Sequence, residues 1–284
     1  MSVDAESGRA NRRSRILGDL QGGRNIAVAV ASTVVFFAVI VVVVVNSAGW
    51  PEVRKAFFDR QLFTDSFPEI ARAFLLNVRI FCIAEVVILV AALGIAVLRG
   101  LPGPVLFPFR LLAVVYTDLF RGIPTILVIY ILGFGAPALQ LSGVPNSPFF
   151  WGVTALVLVY SAYVAEVYRA GIESVHPSQE AAARSLGLSH AKTLRFVIIP
   201  QAVRRVIPPL LNDFIGLQKD SALVALIGPI EAFRQSQIDV AATFNYTPYL
   251  ATALLFLLLT IPLARLTDWL VARDRRRQSG GGAR

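Results

Sequence analysis

Six ionisable side chains stand out in this sequence because they interrupt long apolar segments. They are Glu85, Asp118, Arg121, Glu166, Lys219 and Asp220. A charged side chain in the middle of a membrane-spanning helix costs roughly 2.5–3.5 kcal/mol on insertion scales, so such a residue faces the bundle interior or a wet cavity. We therefore treat the six as candidates for the lining of a polar path.

Helical spacing leaves a structural alternative open for three of these residues. Glu166 lies three residues before Arg169, and Asp118 lies three residues before Arg121. Side chains at this spacing are neighbours on a helix and can form ion pairs. Glu85 has no charged residue at helical spacing, so it is the stronger candidate for the path. Its alternative role is a carboxyl group that bonds to a neighbouring helix.

The residue types needed for catalysis or metal binding do not occur in a suitable pattern. The single cysteine, Cys82, excludes an intrachain disulfide and a cysteine-based metal cluster. Neither His176 nor His190 has ligand spacing or the partners of a hydrolytic set, which argues against an intramembrane enzyme. The G-x-x-x-x-G-K-[ST] loop that binds nucleotide phosphates is missing from the sequence. We expect no catalytic residue, no metal and no cofactor on this chain.

The composition is that of a membrane protein. Of the 284 residues, 56% are hydrophobic and only 16% are charged, whereas soluble domains have nearer a quarter charged. Uncharged or weakly charged apolar stretches recur along the chain, and about 20 such residues suffice to cross a bilayer as a helix. The sequence predicts an all-α membrane protein with six transmembrane helices, at about 26–45, 71–98, 111–134, 149–172, 203–230 and 249–270. We expect a break in the third at 121–124, a broken or kinked fifth, interrupted by Pro208, Pro209, Lys219 and Asp220, and an external loop at 231–247.

The distribution of basic residues predicts the orientation. Eighteen Lys and Arg lie in the segments that a six-span arrangement with both termini inside assigns to the cytoplasm, and four lie outside. The positive-inside rule therefore predicts that both termini are cytoplasmic. The net charge of +9 is then explained by topology, and we expect no nucleic-acid partner.

A polar segment, 176–200, interrupts the apolar second half of the chain. It opens with Pro and Ser, as helix N-termini do, and continues with three alanines. Gly187 suits a left-handed helix stop, and Ser189 is placed to cap a second helix. Pro200 is expected to begin a new element. The segment therefore predicts a helix, a turn and a second helix.

This segment resembles the EAA loop of permease subunits of binding-protein-dependent ABC importers. The family pattern is Glu-Ala-Ala, three residues, Gly, nine residues and Ile-x-Leu-Pro, and Ala181, Gly187 and Pro200 keep that spacing. The glutamate stands one position early, at Glu180. There it cannot complete a capping box with Ser178, but its charge still suits the first turn of the helix.

The resemblance extends from about Leu75 to the C-terminal basic tail and is to the polar amino-acid (His/Gln/Glu/Arg-type) branch of these permeases. Among the segments that carry it are DLFRGIPTILVIYILGFG, YSAYVAEVYRAGIESV and LNDFIGLQKDSALVALIG. The resemblance implies a five-helix permease core, to which the first apolar helix is an addition. The implied organisation is a cytoplasmic basic tail (1–24), an extra transmembrane helix (25–46), an external segment (47–69), the permease domain (70–272) with its coupling loop (173–200), and a cytoplasmic basic tail (273–284).

The resemblance also implies partners. ATP would be bound by separate ABC ATPase subunits, a substrate-binding protein would dock outside the membrane, and a second permease chain, identical or related, would complete the path. The protein would lie in the bacterial cytoplasmic membrane. The residues expected to couple to the ATPase are Ser178, Glu180, Ala181, Ala182, Ala183, Leu186, Gly187, Leu188 and Pro200.

Two alternatives stay open at this point. One is an ABC importer permease for a small polar solute other than an amino acid. The other is an ion-coupled secondary transporter, although such proteins usually show internal repeats and none is evident here. The sequence does not name the amino acid that would be carried.

Overall fold

The computed structural model describes residues 23–101, 103–140 and 142–280, and the regular structure in these ranges is helical throughout. The chain divides into two compact units, and the boundary along the chain lies between Phe58 and Asp59. The predicted all-α fold class is confirmed for the described residues. Most of the basic tail predicted at 1–24 lies outside them.

The first unit contains one long apolar helix and one short amphipathic helix. Helix α1 spans Gly23–Val45, and its stretch from Asn25 to Val45 is long and apolar enough to cross a membrane. Helix α2 spans Trp50–Phe57. Its single acidic residue is in the first turn and its two basic residues are in the last, which is the arrangement that the helix dipole favours.

The second unit contains all the remaining helices. They are α3 (Arg60–Gly100), α4 (Phe107–Gly122), α5 (Thr125–Tyr130), α6 (Pro148–Glu173), α7 (Pro177–Ser185), α8 (His190–Thr193), α9 (Ile199–Asp220), α10 (Ala232–Thr243) and α11 (Thr247–Gly280), together with a single helical turn at Ala136–Ala138. Two π-helical turns, Ile131–Gly135 and Leu194–Ile198, and a 3₁₀ segment, Ser221–Ile227, join some of them.

Helix α3 is longer than the sequence predicted. It begins at Arg60, where the Asp59 side chain caps it by accepting a hydrogen bond from the Leu62 amide at 3.0 Å. Residues 60–69 of the predicted external segment 47–69 are therefore the first turns of a continuous helix of 41 residues. At 1.5 Å per residue this helix is about 60 Å long, roughly twice the thickness of the hydrocarbon core. Hydropathy marked only its apolar part.

The predicted break near Arg121–Pro124 is confirmed. Helix α4 ends at Gly122 and α5 starts at Thr125, and the two directions differ by 104°. Ile123 is extended, as expected for a residue that precedes proline.

Two other predictions about the second half are corrected. Pro208 and Pro209 do not interrupt the fifth apolar stretch, because α9 runs through both; the α-helix ends at Asp220, where Lys219 and Asp220 were also expected to interrupt it. The segment 231–247, predicted as a loop, contains α10.

The expected start of an element at Pro200 is confirmed. Helix α9 begins at Ile199 and has Pro200 in its first turn, and a π-helical turn joins it to α8 without an intervening loop.

The structure supports fewer spans than the six predicted. Among the described residues four helices are long and apolar enough to cross a membrane, and the bent pair of α4 and α5 raises the number to five. Helix α9 does not qualify, because it carries five charged residues. A sixth span stays a prediction.

The core of the second unit is centred on α6. Its buried face consists largely of small and β-branched residues, among them Ala155, Val159, Ala162 and Ala165, and it packs against the buried Ile80, Ala84, Ile88 and Ala92 of α3. The α3 residues recur every four positions and therefore form one stripe. At Gly171 the Val206 side chain fills the space that a Cβ would need, so α9 approaches the backbone of α6 directly.

A buried polar network joins α3, the 3₁₀ segment and α10. The Asn77 amide group donates to Glu231 Oε2 at 2.8 Å and to Ser221 Oγ at 3.2 Å, and its Oδ1 accepts from the Ala232 amide at 3.1 Å. Glu231 is fully buried and caps α10 by accepting from the amides of the two residues after Ala232. Without these bonds a buried carboxyl group would be strongly destabilising.

The Glu231→Gln variant tests this network through its pH dependence. Burial raises the pKa of the Glu231 carboxyl above its ordinary 4.5, more than the hydrogen bonds it accepts lower it. The folded state therefore binds this proton more tightly than the unfolded state does. The resulting stability is fully present below pH 4.5 and is lost as pH rises through the folded-state pKa. Glu231→Gln should lower the free energy of unfolding by about 1–3 kcal/mol. It should also remove the decrease in stability with rising pH that this carboxyl group causes.

The measurement is thermal unfolding of the purified protein in detergent, at pH values from below 4.5 to above the folded-state pKa of Glu231. Ser236→Ala is the matched control, because Ser236 is also buried in α10 but has no carboxyl group. It should keep the wild-type slope. An unchanged slope in Glu231→Gln would contradict the assignment.

Candidate functional site

The segment predicted to be a coupling loop (173–200) keeps that name below. Its first helix is capped by a residue that the sequence did not indicate. His176 precedes α7, and its Nδ1 accepts a hydrogen bond from the Ser178 amide at 3.2 Å. The Ser178 hydroxyl lies 2.8 Å from the same nitrogen. Ser178 is therefore inside the helix and cannot be the cap of a capping box. Glu180 lies in the first turn, as predicted.

The turn after α7 is a Schellman motif. The Leu188 amide donates to the Ala183 carbonyl at 3.2 Å, and the Gly187 amide donates to the Arg184 carbonyl at 2.9 Å. Gly187 has a φ of +83°, so the left-handed stop expected at this position is present. No atom lies within 4 Å of the position that a Cβ on Gly187 would take. The backbone conformation alone therefore requires glycine here.

Two polar contacts set the second half of the turn. Ser189 caps α8 by accepting from the Lys192 amide at 3.5 Å. His190 Nδ1 lies 3.3 Å from Glu180 Oε1 and so links the two short helices across the turn. Glu180, the glutamate that stands one position early in the EAA-like pattern, thus contacts a residue ten positions later. This contact does not depend on the spacing between Glu180 and Ser178.

The loop is held on the second unit by a small apolar cluster. Val175, Ile198 and Ala202 are buried together, and the Arg205 guanidinium donates to the Ser174 carbonyl. Ala183 is also buried, with 5% of its surface exposed. These contacts fix the base of the loop.

The opposite face of α7 is open. Ala181 and Ala182 are exposed, and Leu186 has 84% of its surface exposed. Leu188 is half-buried, and Pro200 is exposed at the start of α9. A face of small side chains beside an exposed leucine allows another surface to approach the helix backbone closely.

The charged residues of the spans separate into different environments. Glu166 is an ion-pair partner: its Oε2 lies 2.7 Å from Arg99 Nη1, and it also pairs with Arg169. Arg169 pairs in turn with Glu173. The structural ion pair that was left open for Glu166 is therefore formed, and it is extended by an arginine of α3 that is 67 positions away.

Asp118 and Arg121 do not pair with each other. Asp118 is exposed, and the described residues contain no ion pair between the two. The Arg121 guanidinium lies 5.8 Å from the centre of the Tyr163 ring, a cation–π distance, and the Tyr163 hydroxyl donates to the Arg121 carbonyl. The break after Gly122 turns the chain just beyond Arg121, and the guanidinium then lies over α6.

Glu85 is half-buried on α3 and has no hydrogen bond or ion pair to any described residue. Asp213 of α9 and Tyr168 of α6 are near enough to interact with it electrostatically. Asp213 has a buried carboxylate oxygen without a hydrogen-bond partner among the described residues. The alternative role for Glu85, a carboxyl group bonded to a neighbouring helix, is not observed.

Asp220 lies at the end of α9 and is close to the same region. Its Oδ2 accepts a hydrogen bond from the Tyr160 hydroxyl at 2.9 Å, and Tyr160 also interacts with Asp213. The Lys219 side chain is exposed and acts on Asp220 electrostatically. Glu85, Asp213 and Asp220, which we call the acidic set, are therefore linked by electrostatic interactions across α3, α6 and α9.

Comparison with known proteins identifies the family. The model of the family described as binding-protein-dependent transport system inner membrane component matches residues 105–276. The chain belongs to this family. It is 36% identical over 169 residues to the probable glutamine ABC transporter permease protein GlnM of Bacillus subtilis (strain 168), covering 58% of this chain and 76% of that protein. It is 30% identical over 211 residues to the probable amino-acid permease protein YxeN of the same organism, covering 74% and 93%.

The fold agrees with a solved structure of a related transporter. The crystal structure of an amino acid ABC transporter with histidines superimposes with a TM-score of 0.69 and 32% identity, over 76% of this chain and 98% of that one. The described residues of this permease-family member contain no cluster of three His, Cys, Asp or Glu side chains that could hold a metal ion.

Several residues that matter to this geometry were missed from the sequence. Asp213 lies seven residues before Asp220, two helical turns away on the same face, and that spacing was an available signal. Arg99 is one of the basic residues whose distribution predicts the topology, and only the packing of α3 on α6 brings it to Glu166. His176 has no ligand spacing in the sequence, and its role as the cap of α7 was not predicted.

The left-handed turn of the coupling loop is directly testable. Gly187→Val should cost roughly 1–2 kcal/mol, because a β-branched residue is strained at positive φ, and should open the Schellman bonds. Amide hydrogen exchange should then speed up at residues 187 and 188. Gly94→Val is the control, because Gly94 is also surrounded by open space but is helical. Equal protection of the loop in both variants would contradict the assignment.

Proposed function

We propose that this protein is the permease subunit of an ABC importer that moves a polar amino acid across the bacterial cytoplasmic membrane. The observation that carries the proposal is the match to an amino-acid permease over nearly the whole of that relative's length. Amino acids carry an ammonium group at neutral pH, and the acidic set offers carboxylates to such a group. This chain breaks no bond. It provides the path.

The energy would come from ATP bound by separate ABC ATPase subunits. The open face of α7, with Ala181, Ala182 and Leu186, is the proposed contact with the ATPase, and Glu180, Gly187 and Leu188 hold its shape. Its small side chains permit close approach to a groove, and Leu186 adds an apolar anchor. Because the loop is fixed to α6 and α9 at its base, a movement of the ATPase would be transmitted to both helices.

The remaining partners complete the importer. A second permease chain, identical or related, would form the other half of the path, and an extracytoplasmic binding protein would deliver the substrate. Both termini are proposed to lie in the cytoplasm, which reporter fusions at Gly8 and Gly281 test. A periplasmic signal at either position would remove the six-span arrangement.

The ATPase contact is tested by Ala182→Asp. A charge on the exposed alanine would be buried against the partner without compensation, so copurification of the ATPase subunit should fall while the permease still inserts. Ala242→Asp is the control, because Ala242 is an exposed alanine on another helix. Undiminished copurification with Ala182→Asp would refute the contact. Gly187→Val should retain the ATPase but uncouple ATP hydrolysis from transport.

The proposed path runs along the acidic set. Within the part of the chain that the structure describes, Glu85 and Asp213 have no cationic side chain paired with them, so they are free to receive the substrate ammonium. Lys219, beside Asp220, is suited to the substrate carboxylate. Glu166 and Arg121 would border the path, and Asp118 would lie at its edge. In this scheme the ion pairs of Glu166 keep its charge compensated while the acidic set is left for the substrate.

Neutralising the acidic set tests the path. Glu85→Gln and Asp213→Asn keep side-chain shape but remove a charge-assisted bond to the ammonium, so uptake should fall roughly tenfold. Assembly with the ATPase should be unchanged. Asp268→Asn, which removes an exposed carboxylate paired only at the surface, is the control and should transport normally. Wild-type uptake by Glu85→Gln across a range of pH would end the proposed role of Glu85.

A further inference from the structure

A cavity lies at the end of α6 that leads into the coupling loop. It has a volume of about 530 Å³, is open on one side, and is lined by the last turns of α3 and α6 and the first turns of α4. Arg99, Arg110 and Arg169 contribute guanidinium groups to its wall. Neither the acidic set nor the open face of α7 includes any of these residues, so the proposed transport function does not account for the cavity.

The charges of the wall are not all balanced. Glu166 pairs with Arg99 and Arg169, and Glu173 pairs with Arg169. These two carboxylates and two guanidinium groups cancel. Arg110 has no carboxylate within 4 Å in the part of the chain that the structure describes. The cavity therefore carries one excess positive charge.

Arg110 is held in place while keeping donors free for a ligand. Its Nη1 donates to the Leu101 carbonyl at 2.7 Å, and its guanidinium lies 5.7 Å from the centre of the Phe107 ring. A guanidinium has five N–H donors, and within the described ranges this is the one hydrogen bond that engages them. The N-terminus of α4 also begins at the cavity, and its helix dipole adds to the positive potential.

The rest of the cavity wall is apolar and opens onto an apolar surface. Phe107, Leu111 and Val114 line it, and the neighbouring Phe109 and Leu112 are 53% and 67% exposed. A ligand that fits both parts has a single anionic group joined to hydrocarbon. A free phosphate or a nucleotide would leave the apolar wall and the adjoining apolar surface uncovered.

We propose that this cavity binds the headgroup of an anionic phospholipid, with Arg110 as the partner of the phosphodiester and the apolar face of α4 as the support of an acyl chain. Basic pockets between transmembrane helices are suited to such headgroups. A bound lipid would join the ends of α3, α4 and α6 next to the coupling loop. The proposal does not depend on which solute the protein transports.

The test counts lipids retained by the purified protein, together with its ATPase if the two copurify. The protein is reconstituted in phosphatidylglycerol and phosphatidylcholine, extracted with detergent, and examined by native mass spectrometry. The wild type should retain phosphatidylglycerol in preference to phosphatidylcholine. Arg110→Gln should reduce that retention about tenfold, because a charge-assisted bond is lost. Arg265→Gln removes an exposed arginine on α11 and should have no effect.

A second variant removes the space and keeps the charge. Ala96→Phe places a ring in the cavity and should also reduce retention, so the result does not rest on the folding of the Arg110 variant alone. Excess inorganic phosphate should not displace the lipid. Equal losses in Arg110→Gln and Arg265→Gln, equal retention of phosphatidylcholine, or displacement by phosphate would each overturn the proposal.

Discussion

The close packing of α6 against α3 and α9 is the interaction on which the second unit depends. Small side chains make it possible: glycine, alanine and serine make up most of the buried residues of α6, and Gly171 admits the Val206 side chain directly against the backbone. Lipid tails are as apolar as the side chains of the helices, so the hydrophobic effect does not drive helices together in a membrane. They associate instead through such close van der Waals contact. Charged residues on these helices therefore meet across short distances.

The two ends of α6 serve different purposes because of what packs beside them. At one end Gly152 lies under Val224 of the 3₁₀ segment, beside the network built on Asn77 and Glu231. At the other end Glu166 is compensated by arginines, and the chain continues into the coupling loop. A rigid helix thus connects a polar network at one end to an exposed helical loop at the other, which is the connection that a coupled transporter requires.

The charges of the bundle differ in how far they are compensated. Glu166 is paired with two arginines, whereas Glu85 and Asp213 have acidic or phenolic neighbours and no cation paired with them among the described side chains. Placing uncompensated carboxylates near one another is unfavourable in a medium of low polarity. In this family such an arrangement is understandable if a positively charged ligand passes between them, and it is the physical basis of the proposed path.

The sequence by itself determined the class of protein and the local signals. Composition, a property of the whole chain, indicated a helical membrane protein. The turn at Arg121–Pro124 indicated a break and Gly187 indicated the left-handed stop of α7, because both depend on a few adjacent residues. It also placed the EAA-like loop, whose spacing is a local feature. Helix ends that lie beyond the apolar stretch, as at Arg60, were not predicted, because a helix continues through charged residues where other helices or caps support it.

Only the tertiary structure decided which charges meet. The partners Arg99 and Glu166 are far apart in the sequence, as are Glu85 and Asp213, and no helical spacing connects them. Asp118 and Arg121 have the right spacing for an ion pair, yet the bend after Gly122 and the ring of Tyr163 give Arg121 a different partner. Spacing along one helix limits which residues can be neighbours, but the packing of different helices selects the neighbours that a charge has.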